Sequence, residues 1–110
     1  MPSRTLPGGL GLKAFWDLGE NGWKNENDDD LLWLSVLAGG AALDLVAAEP
    51  GSPTEGDIYI LDETHATYPN QLAVYDDGGW KYKAVPTGRI MYLADEAAHR
   101  WFNGTVWTLL

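Results

Sequence analysis

The chain has 110 residues, of which 45% are hydrophobic, and it contains six tryptophans, five tyrosines and two phenylalanines but no cysteine. That composition supplies enough apolar surface for one folded domain, and the lack of cysteine excludes disulfides, thiol catalysis and thiolate metal sites. Sixteen acidic against seven basic side chains give a formal net charge of -9, which argues against nucleic acid and anionic membrane surfaces as partners.

Residues 1–20 are rich in proline and glycine, which predicts an extended N-terminal arm without regular structure. The arm has no basic segment followed by an apolar core, so it does not resemble a secretory signal, and synthesis in the cytoplasm is the expectation. Four apolar side chains of the arm are candidate anchors, either on another subunit or on the domain's own core: Leu10, Leu12, Phe15 and Trp16.

Residues 21–40 are predicted to form one helix, with Asn21 as its N-cap and acidic residues in its first half that complement the helix dipole. Gly39 and Gly40 are expected to end it, and the apolar run around them is too short to span a bilayer. Steps of four and three residues predict a heptad-like seam on one side of the helix, formed by Asn27, Leu31, Leu34, Ala38, Ala41 and Leu45.

This helix is also a candidate oligomerisation neck, because its second half is apolar on several sides. Burial inside the domain and packing in an oligomer explain that apolar character equally well. The candidate interface residues on it are Trp23, Leu31, Leu34 and Ala38.

Residues 41–110 are predicted to form a small antiparallel β-meander of about five to six strands, so the fold class is α+β. Short strand-like segments are separated by turn residues, and the sequences at 77–79 and 103–104 are typical of tight hairpins. The candidate strands are residues 57–61, 71–75, 80–83, 89–93, 99–102 and 106–109.

A faint internal repeat links residues 73–80 with residues 99–107. Each copy has a strand, then an acidic or amide residue with glycine, then a tryptophan. The repeat predicts two similar hairpins, each presenting an aromatic residue just after its turn.

The order of several motifs resembles a domain-of-unknown-function family of tailed phages, prophages and gene transfer agents. The resemblance covers nearly the whole chain and is carried by residues 2–7, Gly22 with Trp23, residues 56–60, and the closing segment from 95–96 to 102–107. It implies a virion protein of a fibre, spike or tail appendage. The partners would then be other virion proteins, and a trimer is the expected oligomer.

The resemblance also implies a sheet domain likened to carbohydrate-binding modules. The chain departs from the family in two places: residues 62–69 stand where a Gly-Ala-Trp type segment is common, and Gly88-Arg89 stands where Gly-Trp is expected. If either missing tryptophan is a sugar platform in relatives, glycan binding by this chain is in doubt.

No catalytic or metal site is predicted, and no cofactor. The chain has no nucleophile elbow, phosphate-binding loop or helical zinc signature. Acidic residues near strand ends are better explained as solvated turns than as a glycosidase pair, which needs two carboxyls ~5–9.5 Å apart across a cleft. The run Asp28-Asp29-Asp30 lacks calcium-loop spacing, and His65 and His99 are read as surface or hydrogen-bonded residues.

The aromatic residues of the predicted sheet carry the remaining functional signal. Exposed rings on a rigid sheet can stack on sugars, although most such rings belong to a core. The candidate glycan-binding residues are Trp80 and Trp107, which adjoin turns, with Tyr82, Asp77 and Asn103. The leading prediction is therefore a non-enzymatic virion structural protein that oligomerises and docks onto a neighbour, and the alternative is a module that binds host surface glycans.

Overall fold

In the part of the chain that the structure describes, one helix and a series of short strands follow each other, which confirms the α+β class. The computed structural model describes residues 4–14 and 23–110. Its elements are β1 (Arg4–Thr5), β2 (Lys13–Ala14), α1 (Trp23–Gly39), β3 (Ala41–Ala42), β4 (Leu45–Val46), β5 (Ile58–Leu61), β6 (Leu72–Asp76), β7 (Gly79–Lys83), β8 (Ile90–Leu93), β9 (Ala98–Phe102) and β10 (Trp107–Leu109).

The described part of the N-terminal arm is a small hairpin in which β1 pairs with β2. The Lys13 amide donates a hydrogen bond to Asp30 of the helix at 2.8 Å, and Leu10 packs against the central core. The expectation that the arm lacks regular structure is therefore wrong for these residues. The anchors Phe15 and Trp16, and the N-cap Asn21, lie outside the described residues.

Helix α1 ends where the sequence predicted, at a glycine in the left-handed region: Gly40 has φ 67°. Near its start, Lys24 and Asp28 form an exposed ion pair at 2.7 Å. Trp33, Val36 and Leu37 are buried, so one side of the helix covers the core. The Arg89 guanidinium donates to the Leu37 carbonyl, which ties the end of the helix to β8 and provides a cation where the helix dipole favours one.

The residues after the helix cross from one sheet to another. β3 lies parallel to β8, and β4 lies parallel to β5. The predicted seam is therefore wrong beyond Ala38, because Ala41 and Leu45 belong to strands. Carbonyls of this bridging segment accept amide hydrogen bonds from both sheets: Tyr92 to Gly40, Ala94 to Ala42, Ile60 to Asp44 and Asp62 to Val46.

The segment predicted to be a single antiparallel meander is rich in strands, but these strands form two sheets. The first sheet has the order β4-β5-β6-β7 and the second has the order β3-β8-β9-β10. Each sheet consists of a two-residue strand parallel to the first strand of a three-stranded antiparallel meander. The two sheets are therefore built to the same plan.

Equivalent hydrogen bonds and side-chain pairs show that this is an internal repeat. A glycine with positive φ precedes each meander, Gly56 at 89° and Gly88 at 99°. In the hairpins, Tyr75 pairs with Trp80 and Phe102 pairs with Trp107. The matching backbone bonds are Gly56 N to Tyr75 O and Tyr75 N to Asp57 O in one repeat, and Gly88 N to Phe102 O and Phe102 N to Arg89 O in the other.

The two sheets present opposite faces of the repeat to the core. In the first sheet Ile60 is a core residue, whereas its equivalent Tyr92 lies outside the core cluster. In the second sheet Met91 is a core residue, whereas its equivalent Tyr59 is on the outer face. The outer face of the first sheet thus corresponds, position by position, to the buried face of the second.

Candidate binding surfaces

The outer face of the first sheet carries four half-buried aromatic residues, Tyr59, Tyr75, Trp80 and Tyr82, called here the aromatic face. Strand alternation and register place them together, since Tyr59 and Tyr82 both pair with Ala73, and Tyr75 pairs with Trp80. Ala73 is fully buried although it lies outside the central core cluster. The aromatic side chains therefore form a second apolar layer on this side of the sheet.

The rings of the aromatic face contact each other in fixed geometries. Trp80 meets Tyr59 at a centroid distance of 6.0 Å and Tyr75 at 5.3 Å, both edge to face. Tyr82 stacks on Tyr68 of the β5–β6 loop at 3.8 Å with an interplanar angle of 12°. The end of the face at Tyr82 is thus covered by a loop, and the rings of Tyr59, Tyr75 and Trp80 form a separate group of contacts.

A polar group that we call the clasp, formed by Glu49, His65 and Tyr82, borders the covered end. His65 Nε2 lies 2.5 Å from one Glu49 carboxylate oxygen, and the Tyr82 hydroxyl donates to the other. Two backbone amides, of Thr67 and Tyr68, donate to His65 Nδ1 at 3.2 and 2.9 Å. The clasp therefore joins three segments that are distant in sequence.

The hydrogen bonds of the clasp shift the acidity of two of its members. Burial alone would raise the pKa of Glu49, but the hydrogen bonds from Tyr82 and His65 outweigh it and hold that pKa below its ordinary value. Burial, together with the hydrogen bond to the Glu49 carboxylate, raises the pKa of Tyr82 to about 12. Glu49 is thus an anion and Tyr82 a neutral donor near neutral pH.

The structure separates the five candidate glycan-binding residues. Trp80 and Tyr82 lie on the aromatic face, and Asp77 is exposed in the turn beside them. Trp107 is only 4% exposed and donates its indole N–H to the Asn70 carbonyl at 2.8 Å, so its expected outward position is wrong. Asn103 lies in the turn between β9 and β10 of the other sheet, where its side chain accepts hydrogen bonds from the amides of Thr105 and Val106.

A second candidate surface is the helix stripe, defined as Leu31, Leu34 and Ala38. Leu31 is 56% exposed and Leu34 is 45% exposed, and Ala38 is exposed as well. These are the predicted seam residues, and in the described part of the chain they remain largely accessible. Trp23 is the first residue of the helix, and Leu12 in the hairpin is half-buried.

The clasp was missed by sequence reasoning because nothing in the spacing of its members indicates a site. Glu49 stands in a proline- and glycine-rich loop, 16 residues from His65 and 33 from Tyr82. Only the folding of two loops onto β7 brings the three together.

Among residues 4–14 and 23–110, no group of three or more His, Cys, Asp or Glu could hold a metal ion. No helix in that part of the chain is long and apolar enough to cross a membrane.

Comparison with known proteins places the chain in a family. Residues 27–108 match the family model described as "Protein of unknown function (DUF2793)", so the chain belongs to that family. The match runs from the first half of α1 through both sheets. Neither the curated proteins nor the solved structures give a match.

Proposed function

We propose that this chain is a non-enzymatic structural module of a phage virion, a component of a tail, fibre or spike. In this proposal it is made in the host cytoplasm, oligomerises, and docks onto a neighbouring virion protein. The phage assignment is supported by the resemblance of its motifs to virion-associated domains. The assembly role is supported by the structure's accessible helix stripe.

The observation that carries the assembly role is the exposure of Leu31 and Leu34 on a helix whose other side is already buried. Two leucines that are 56% and 45% exposed on successive turns leave apolar area in water, and covering it is favourable by ~25 cal/mol per Å². The spacing of Leu31, Leu34 and Ala38 is that of a helix packed against another helix. A second copy of the same helix, in a trimer, is the proposed partner.

The test is the molar mass of the full chain in solution by light scattering, over a range of concentrations. We expect an oligomer for the wild type and a monomer for the double variant Leu31→Asp, Leu34→Asp. Ser35→Asp is the matched control, because Ser35 is an exposed position on the same helix and the substitution adds a charge beside the stripe. A wild-type chain that stays monomeric at high concentration would contradict self-association.

The virion assignment needs a separate experiment. Particles produced by the strain that encodes the chain should contain it at a fixed stoichiometry after purification, as measured by quantitative mass spectrometry. Particles that lack the chain would refute the assignment, even if the protein oligomerises in solution.

The second candidate function is binding of host surface glycans on the aromatic face. The observation that favours it is a difference between the repeats: Tyr59 and Tyr75 on the outer face replace Met91 and Phe102 of the inward face. Phenol hydroxyls beside the half-buried Trp80 ring combine a stacking surface with hydrogen-bond donors, as sugar-binding sites do.

Tryptophan fluorescence, titrated with host polysaccharides, tests this alternative. Binding should be lost in Trp80→Ala and retained in Trp101→Ala, since Trp101 is also half-buried but lies in the second sheet. Equal loss in both variants, or no signal across a broad glycan panel, would remove the alternative.

A further inference from the structure

The clasp fixes the protonation of His65. Its Nδ1 atom accepts hydrogen bonds from two amides, of Thr67 at 3.2 Å and Tyr68 at 2.9 Å, so that nitrogen carries no proton. Its Nε2 atom lies 2.5 Å from the carboxylate of Glu49 and is therefore the protonated donor. The closed loop thus selects the neutral imidazole with its proton on Nε2.

A second proton on this ring is incompatible with the same turn. It would have to bind Nδ1, where it would face two N–H donors instead of a free lone pair. The contact with Glu49 would survive, because an imidazolium still donates from Nε2 and is attracted by the carboxylate. Protonation therefore breaks the hydrogen bonds from the Thr67 and Tyr68 amides and strengthens the ion pair with Glu49.

Tyr68 is the residue that this turn positions. Its amide is one of the two donors to His65, and its ring stacks on Tyr82 at 3.8 Å. We propose that residues 64–68 form a pH-sensitive lid on the aromatic face, which opens when His65 takes up a second proton and releases Tyr68 from Tyr82. The proposal stands on the contacts of the clasp and is independent of the proposed functions.

The other ionisable groups near His65 do not change the expectation that protonation of His65 opens the lid. Glu49 approaches the ring from the loop after β4, the Tyr82 hydroxyl binds that same carboxylate from β7, and the Tyr68 ring lies 6.0 Å away. Asp62 lies at the start of the same loop, where it accepts the Thr64 amide at 2.8 Å and so secures the turn at its other end. The side chains of His65 and Glu49 are only 10% and 20% exposed, which limits screening by solvent.

The experiment combines two NMR measurements on the full chain, each made at pH 7.5 and at pH 5.0. Long-range proton–nitrogen spectra should show the neutral form protonated at Nε2 at the higher pH. Amide exchange, corrected for the chemical effect of pH, should show protection of Thr67 and Tyr68 falling by about tenfold or more at the lower pH. Met91 in β8 should keep its protection.

Three variants separate the lid from a general effect of acid. His65→Gln cannot titrate, so its loop protection should be the same at both pH values. Glu49→Gln should move the opening to lower pH, because the imidazolium loses its partner. His99→Gln is the matched control, since His99 is exposed and lies in the second sheet, and it should behave as the wild type.

Three results would overturn the proposal. One is equal protection of Thr67 and Tyr68 at pH 7.5 and pH 5.0 in the wild type. The second is a proton on Nδ1 of His65 at pH 7.5. The third is an unchanged pH dependence in His65→Gln. The first two are measured on the wild type, so the proposal stays testable if a variant fails to fold.

Discussion

Replacing the two equivalent tryptophans, Trp107 and Trp80, by alanine should have very different effects on stability. Trp107 is 4% exposed and its indole N–H is bonded to the Asn70 carbonyl. Truncation of a buried tryptophan removes ~3–5 kcal/mol, and part of this is the unpaired carbonyl that remains. We expect Trp107→Ala to lower the free energy of unfolding by about 4 kcal/mol, a large part of the ~5–15 kcal/mol typical of a domain.

Trp80 occupies the same position in the other hairpin but is half-buried on the aromatic face. Its replacement by alanine removes less buried area and two edge-to-face contacts, so a loss of about 1–2 kcal/mol is expected. Urea unfolding followed by far-ultraviolet circular dichroism measures both, since this signal does not depend on the tryptophan removed. If Trp107→Ala does not fold, Trp107→Phe, at about 1–2 kcal/mol, is compared with Trp80→Phe, which should cost less because Trp80 is half-buried. Equal costs at the two positions would refute the assignment of inner and outer faces.

Three further effects follow from named contacts. The pKa of Tyr82 is about 12 in the folded chain and ~10 when unfolded. The stability that this difference contributes is therefore complete below pH ~10 and is lost as the pH rises toward 12. In urea titrations at alkaline pH, Tyr82→Phe should remove that loss of stability. The lowered pKa of Glu49 contributes stability above pH ~4.5 that is lost as pH falls. In the same urea titrations, the free energy of unfolding of Glu49→Gln should therefore fall less steeply with decreasing pH than that of the wild type. Gly88→Ala should lower the melting temperature through backbone strain of about 1–2 kcal/mol, since φ is 99° and open space surrounds the added carbon.

The sequence predicts the helix and the strand-rich segment that follows it because both carry strong local signals. Gly40 marks the end of α1, and the turn residues around Asp77 and Asn103 mark the two hairpins. The bridging segment could not be predicted in the same way. Ala41 and Leu45 continue the spacing of the helix stripe, and two-residue strands carry no period of their own.

The division of the aromatic residues between core and surface also could not be read from the sequence. Trp80 and Trp107 each follow a tight turn, and local alternation only says that one face of each strand is buried. Which face is buried depends on the stacking of the second sheet against the first. The clasp depends on the same tertiary arrangement, because Glu49 and His65 meet only when two loops fold onto β7.

The aromatic face has an origin that bears on its function. Because the two repeats contribute opposite faces to the shared core, the first sheet presents outward the face that the second sheet buries. Large apolar residues on that face are therefore expected without any ligand. The connection of residues 62–71 between β5 and β6 is longer than that of residues 94–97 between β8 and β9, and it supplies Tyr68 as a cover. The shared plan of the two repeats does not explain why Tyr59 and Tyr75 stand where the second repeat has Met91 and Phe102. This difference adds hydroxyl groups only on the outward copy, and it is therefore the feature of this face that indicates contact with water or with a polar partner.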